Sequence, residues 1–273
     1  MTGVDQDTHY YLGQHEDALV RYQLFNRAYQ PGTEQVFSWL GLPSNSNILE
    51  LGCGIGATAC YMAREIVPDG HVTAFDIAEE LVNCGRRTAQ ELGIHNITFV
   101  HASAQDFKYE RDKYDLAHTR FVISYLPDAA DIVKSVFSAL KPSGLFFSEE
   151  ITQVYMNDGD TQWYDVMKTW FTKLIEAGGG NAEYGAAQLA RDMRKAGFSI
   201  ENASAFWPLQ EQGVIKRMLA IALANEMKQN LVDLNLASEE EVDAVVARLK
   251  VEDDGVYISP TMVAQVIARK PMP

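Results

Sequence analysis

The chain has 273 residues, 47% hydrophobic and 22% charged, and its 23 Lys and Arg against 37 Asp and Glu give a formal net charge of −14. That is one α/β domain with an elaboration of about fifty residues, too apolar for a disordered chain, and too acidic overall to expect a nucleic-acid or membrane-surface partner. Cys53, Cys60 and Cys84 form no CxxC pair, so reduced thiols in a cytoplasmic protein are expected, with neither a disulfide framework nor a metal site. The first residues lack the basic and apolar regions of a secretory leader, and no charge-free apolar run approaches a membrane-spanning helix.

Leu19, Tyr22, Phe25 and Tyr29 recur at three- and four-residue steps and predict a helix over 14–29, with Thr33 placed to cap a second short helix to 40. From residue 47 strands and helices alternate. Strands are predicted at 47–51, 71–76, 97–100, 114–122 and 145–150, with helices at 56–66, 79–92 and 128–140; Gly93 and the turn Lys141-Pro142-Ser143-Gly144 are stops. Such alternation means right-handed βαβ crossovers and a parallel sheet. Farther on, Trp163, Met167, Trp170, Phe171 and Leu174 mark a helix face, 184–196 is helical and 198–207 alternates as a strand. Helices follow at 212–230 and 238–250, the second opened by Ser238 and Glu241 in capping-box spacing, and 261–269 reads as the last strand. The 212–250 helices thus interrupt the last two strands as a cap, with a homodimer interface as the competing reading.

The informative stretch is Glu50-Leu51-Gly52-Cys53-Gly54-Ile55-Gly56, directly after a strand and before a helix. Glycines there permit a tight turn and let a ligand lie against bare main chain, and the helix behind them offers unpaired N–H groups. Asp76 ends the next strand, where a carboxylate can accept both hydroxyls of a ribose. Gly52, Gly54 and Ala57 can be read as a GxGxxA dinucleotide fingerprint, which keeps an NAD(P)-dependent oxidoreductase as an alternative. Glu50, however, stands where dinucleotide folds carry an apolar residue, and its carboxylate suits a cationic ligand such as the methionyl ammonium of S-adenosyl-L-methionine.

The stretch resembles motif I of class I S-adenosylmethionine-dependent methyltransferases, and the likeness continues along residues 10–150. His71 to Asp76 looks like the family's second strand with its ribose-binding acid, Phe99 to Phe107 its third strand and adenine loop, and Tyr114 to Arg120 its fourth strand. Tyr125-Leu126-Pro127-Asp128 and Leu140-Lys141-Pro142-Ser143-Gly144 look like its "hLPDP" and "LKPGG" turns. Tyr11-Leu12-Gly13 with Glu16 and Arg21 is similar to a bacterial subgroup of stand-alone small-molecule methyltransferases. The resemblance implies an α/β fold: a Rossmann-like, seven-stranded, mostly parallel sheet with helices on both faces and an antiparallel last strand. Residues 1–41 would be an N-terminal helical segment, 42–150 the cofactor-binding core, and 151–273 the rest of the domain with its cap.

It also implies a cofactor site of Tyr11, Glu50, Gly52, Gly54, Gly56, Asp76, Ile77, Ser103, Ala104, Gln105, Thr119 and Arg120. Ser103 stands where the family usually has an Asp for the adenine amino group; the expected contact is Ser103 itself, accepting more weakly, or else Gln105 or Asp106. Glu150, at the end of the fifth strand, and His118 are the candidate catalytic residues, each set against an ordinary reading as an ion-paired or hydrogen-bonded structural group. The expected activity is in-line methyl transfer to a small acceptor; a non-catalytic S-adenosylmethionine-binding protein is the other alternative.

Overall fold

The computed structural model describes residues 16–208, 212–251 and 255–272; Tyr11 lies outside them. Seven strands form one sheet: β1 (Asn47–Leu51), β2 (His71–Asp76), β3 (Ile97–His101), β4 (Tyr114–Arg120), β5 (Leu140–Ile151), β6 (Ser199–Phe206) and β7 (Val263–Arg269), in the order β3-β2-β1-β4-β5-β7-β6. The first five run parallel, and β7 is antiparallel to both neighbours. Helices cover both faces, so the strands read as nearly continuous apolar runs. On one face α1 (Glu16–Leu40), α2 (Ala57–Tyr61) and α3 (Glu79–Glu91) pack on Ile48, Val72, Ala74, Leu116 and Phe147. On the other, α4 (Ala129–Ala139) and α6 (Ala186–Ala196) pack on Leu49, Leu51, Ala117, Phe146 and Val266.

Four local expectations change, one of them at β5, which begins at Leu140 and takes in Lys141 to Gly144 instead of starting at 145. The two helices predicted over 14–29 and to 40 are one, α1, which runs through Pro31. Pro-Gly punctuation loses here because Ala28, Tyr29, Val36 and Phe37 form one buried stripe against the sheet, and tertiary burial overrides propensity. Thr33 therefore caps nothing; its hydroxyl points into the core and donates to Glu149. The strand predicted to 122 ends at Arg120, followed by a 3₁₀ turn, Ile123–Tyr125. The helix predicted over 56–66 is α2 plus a π-helical turn, Met62–Ile66.

Between β6 and β7 lie α7 (Gln212–Ile221), a π-helical turn (Ala222–Met227), α8 (Lys228–Asp233) and α9 (Glu239–Leu249). Ser238 and Glu241 close the expected capping box. These helices share one apolar cluster with α5 (Gln162–Ala177): Tyr164, Met167, Trp170 and Leu174 meet Ile215, Leu223, Met227 and Val242. A buried ion pair, Arg21 Nε to Glu226 Oε1 at 2.7 Å, joins α1 to the π turn.

Candidate active site

The turn after β1 works because its glycines adopt conformations and contacts closed to other residues. Gly52 has φ +67°, and a Cβ on it would lie 2.2 Å from Val122 Cγ2; Gly56 has φ +76°, and a Cβ there would lie 2.8 Å from Gly85 Cα. The turn is tied to β2 by Asp76, whose Oδ2 accepts from Gly54 N at 2.8 Å while Oδ1 accepts from Ala78 N at 2.9 Å at the start of α3. Burial pushes the Asp76 carboxyl up, partly offset by these backbone bonds.

Above the C-terminal edge of the sheet is a cavity of about 280 Å³. Gly52, Gly54, Asp76, Ile77, Ala104, Gln105 and Arg120 line one end of it. Tyr22, Phe25, Tyr29, Phe121, Tyr125, Tyr155, Tyr164 and Phe171 give it an aromatic wall, and Met218, Leu219, Ala222 and Met227 close it from α7 and its π turn. Phe121 takes the left-handed conformation at φ +56°, braced edge-on by Phe25 and Tyr29 at 5.1 and 5.0 Å. Trp163, Trp170 and Trp207 are absent from the described wall. Trp170 is core, while the Trp163 and Trp207 indoles donate to the Asp160 and Pro260 carbonyls.

Of the remaining sequence-read residues, Ser103, Thr119, Glu150 and His118 are not among the described residues that line the cavity. Ser103 donates to Asp106 Oδ2 and accepts from Asp106 N, closing a local turn, and Gln105 donates to Asp128. Thr119 is fully buried. Glu150 is also fully buried; its carboxylate accepts from the backbone N–H groups of Val122, Ile123 and Ser124 at 3.3, 2.9 and 3.4 Å, so it organises the 3₁₀ turn. Burial pushes its carboxyl up to about 7 despite these bonds.

His118 is enclosed on both sides. Its Nε2 is 3.1 Å from Glu149 Oε2 and its Nδ1 3.4 Å from Glu50 Oε1, and Phe37 and Phe147 pack against the ring. Burial opposes its protonation, but the hydrogen bond to Glu149 and the nearby Glu50 carboxyl outweigh it and raise the imidazole above its ordinary value. Burial likewise opposes the Glu149 charge, yet His118, Arg120 and Gln265 hold that carboxyl below its usual range. Glu149, Thr33 and Gln265 were not read from sequence as functional. An acid beside Glu150 was visible, but only the sheet register reveals which of the two faces His118.

Glu50 Oε2 is buried without a hydrogen-bond partner among the described residues, burial pushes this carboxyl up, and Glu50 stands behind the described cavity lining rather than in it. With the Asp76 carboxylate on the wall and bare glycine backbone between, this set fits a nucleoside carrying a cationic amino-acid tail. Among the described residues no group of His, Cys, Asp and Glu could hold a metal ion, and no helix is long and apolar enough to cross a membrane.

Comparison with known proteins adds to this geometry. A family model described as a methyltransferase domain matches residues 42–205. The chain is similar to a demethylmenaquinone methyltransferase of Listeria monocytogenes, 25% identical over 182 residues that cover 61% of this chain and 75% of that one. It is 30% identical over 122 residues to the ubiquinone/menaquinone biosynthesis C-methyltransferase UbiE of Bartonella quintana, covering 44% of this chain and 47% of the other. In fold it is similar to Haemonchus contortus phosphoethanolamine N-methyltransferase 2 in complex with S-adenosyl-L-methionine, with a TM-score of 0.63 and 14% identity over 99% of this chain and 61% of that one.

Proposed function

The chain belongs to the methyltransferase-domain family and is an S-adenosyl-L-methionine-dependent methyltransferase, and we propose that it methylates a small, apolar, aromatic metabolite held in the 280 Å³ cavity. The observation that carries this reading is the wall: eight aromatic side chains and the Met218–Met227 roof face the space beyond the glycine turn. Two relatives whose names place them in quinone biosynthesis support an acceptor built on a ring.

In this reading Asp76 takes the ribose hydroxyls, Ile77, Ala104 and Gln105 border the adenine, Gly52 and Gly54 leave room for the cofactor's spine, and Glu50 and Arg120 serve its amino-acid end. When bound, the cofactor supplies a methyl group on a sulfonium, which leaves a neutral thioether and so requires no acid. The chain's own contribution is alignment, holding the acceptor atom in line and excluding water from the cavity. A base is needed only for an acceptor that arrives protonated. His118 and Glu150 sit behind the wall, so this reading gives neither a proton-transfer step. The inward-facing Met218, Leu219 and Ala222 favour a roof over a dimer interface for this part of α7 and its π turn.

The test is a two-stage assay. S-adenosylhomocysteine should raise the melting temperature of the purified protein and NAD should not, since only a ligand of the folded state stabilises it. A panel of acceptors with radiolabelled cofactor should then favour phenols and hydroquinones over aliphatic amines and acids. Preferential labelling of polar aliphatic acceptors would refute the assignment of acceptor class.

A further inference from the structure

Behind the cavity a row of polar side chains crosses four strands. Register sets Glu50 beside His118, Arg120 beside Glu149, and Glu149 beside Gln265. Glu149 has both oxygens engaged: Oε2 by His118 and Thr33, Oε1 by Gln265 at 2.9 Å. Thr33, fully buried on α1, connects this row to the cavity. Its hydroxyl lies 2.7 Å from Glu149 Oε2 and accepts from Arg120 Nη1 at 2.8 Å. A hydroxyl has one proton. With that proton on the carboxylate, its lone pair takes the guanidinium, and the two charges are coupled through one oxygen.

Arg120 is the cavity end of the chain. Its hydrogen bonds run from Nη1 and Nη2 to Gln30, Thr33 and Asn26, all neutral oxygens. Among the described residues no carboxylate lies within ion-pair distance of it. A directly bonded glutamate would compete with an incoming anion. A glutamate one hydroxyl away balances the charge while leaving the cation available to a ligand. We propose that Thr33 is a positioning residue, which ties Arg120 to Glu149 and holds the guanidinium on the cavity wall as the receptor for a carboxylate of the bound ligand. The proposal rests on the methyltransferase reading of the cavity. Two groups could supply that carboxylate: the amino-acid end of the cofactor or an ionised group on the acceptor.

The experiment is calorimetric titration of Thr33→Val, which keeps the volume and removes the hydroxyl, and of Thr33→Ser, which restores it. The probes are S-adenosylhomocysteine and its decarboxylated form, which keeps the nucleoside and the amine. Thr33→Val should weaken S-adenosylhomocysteine roughly fivefold to tenfold, the size of one ordinary net hydrogen bond because the hydroxyl acts on the ligand only through Arg120, and leave the decarboxylated form within about twofold. Thr33→Ser should recover the wild-type difference. A loss confined to benzoate, titrated into protein saturated with S-adenosylhomocysteine, would support the receptor and place the carboxylate on the acceptor. Equal losses for both nucleosides, or no loss for either S-adenosylhomocysteine or benzoate, would overturn the proposal. Should Thr33→Val not fold, Glu149→Gln removes the charge that the hydroxyl couples to Arg120 and is read by the same comparison. A wild-type protein that binds neither nucleoside would instead overturn the cofactor placement, and with it this proposal.

Discussion

Asp76→Ala separates what the ribose-facing acid does for the ligand from what it does for the fold. From sequence alone the substitution should weaken cofactor binding and leave stability unchanged. The structure adds two structural bonds, to Gly54 N and Ala78 N. Each hydrogen bond to a charged acceptor is worth about 1.5–3 kcal/mol. Against that, removing a carboxylate whose protonation burial favours relieves part of its desolvation cost. The net expectation is a loss of about 1–2 kcal/mol in the ligand-free protein, or a melting temperature lower by roughly 3–6 °C for a chain of this size. Affinity for S-adenosylhomocysteine should fall further, by about 1.5–3 kcal/mol, or roughly 10–150-fold. Urea unfolding with and without S-adenosylhomocysteine measures both. An unchanged midpoint without ligand would refute the turn-tying role, and an unchanged ligand-induced shift would refute the ribose contact.

The other expectations are narrower. Glu150 has a folded value near 7 against an ordinary 4.5, so its contribution to stability is complete below pH 4.5 and is lost as pH rises through 7; Glu150→Gln should flatten the wild-type decline between pH 5 and 8 by on the order of 2 kcal/mol, and an identical pH profile in denaturant melts would contradict this. Gly56→Ala must hold a Cβ at φ +76° against Gly85, so it should cost about 2–5 kcal/mol from left-handed strain and overpacking; a midpoint within error of wild type would count against the geometry of the turn. Ala222→Trp, in the roof, should abolish turnover of the best acceptor while S-adenosylhomocysteine binding stays intact, and undiminished turnover would remove Ala222 from the acceptor end.

What the sequence made legible is what short-range chemistry dictates. The strand–turn–helix from Glu50 to Gly56 and the acid ending β2 depend on neighbours in sequence, whereas the antiparallel last strand came only from the family resemblance. The long α1 was hidden because Tyr29-Gln30-Pro31-Gly32 reads locally as a break, and only burial against strands remote in sequence overrides it. Glu149 and Thr33 were hidden for a related reason: 116 positions separate them, as they do Glu149 and Gln265. His118 and Glu150 drew attention as titratable groups at strand ends. Alternation along a strand puts them on opposite sides of the sheet, and both are consumed by contacts that local pattern cannot show.

The row from Glu50 to Gln265 also bears on how the chain avoids misfolding. A strand buried on both sides offers little to choose between its two faces: β5 carries Leu145, Phe146 and Phe147 in succession, and β7 alternates Val266 and Ala268 with Ile267, all buried. Slipping either strand by one position would still bury hydrocarbon on each side. It would also rotate Glu149 or Gln265 toward the α4 layer, and a rotated Glu149 would strand a buried carboxylate away from His118, Thr33 and Gln265. An uncompensated buried charge costs about 3–5 kcal/mol, a large part of the margin by which any domain stays folded. The polar row is thus a register key. It penalises every off-by-one pairing of the four central strands and leaves one alignment of the sheet, the one that brings the glycine turn, Asp76 and Arg120 to a common edge.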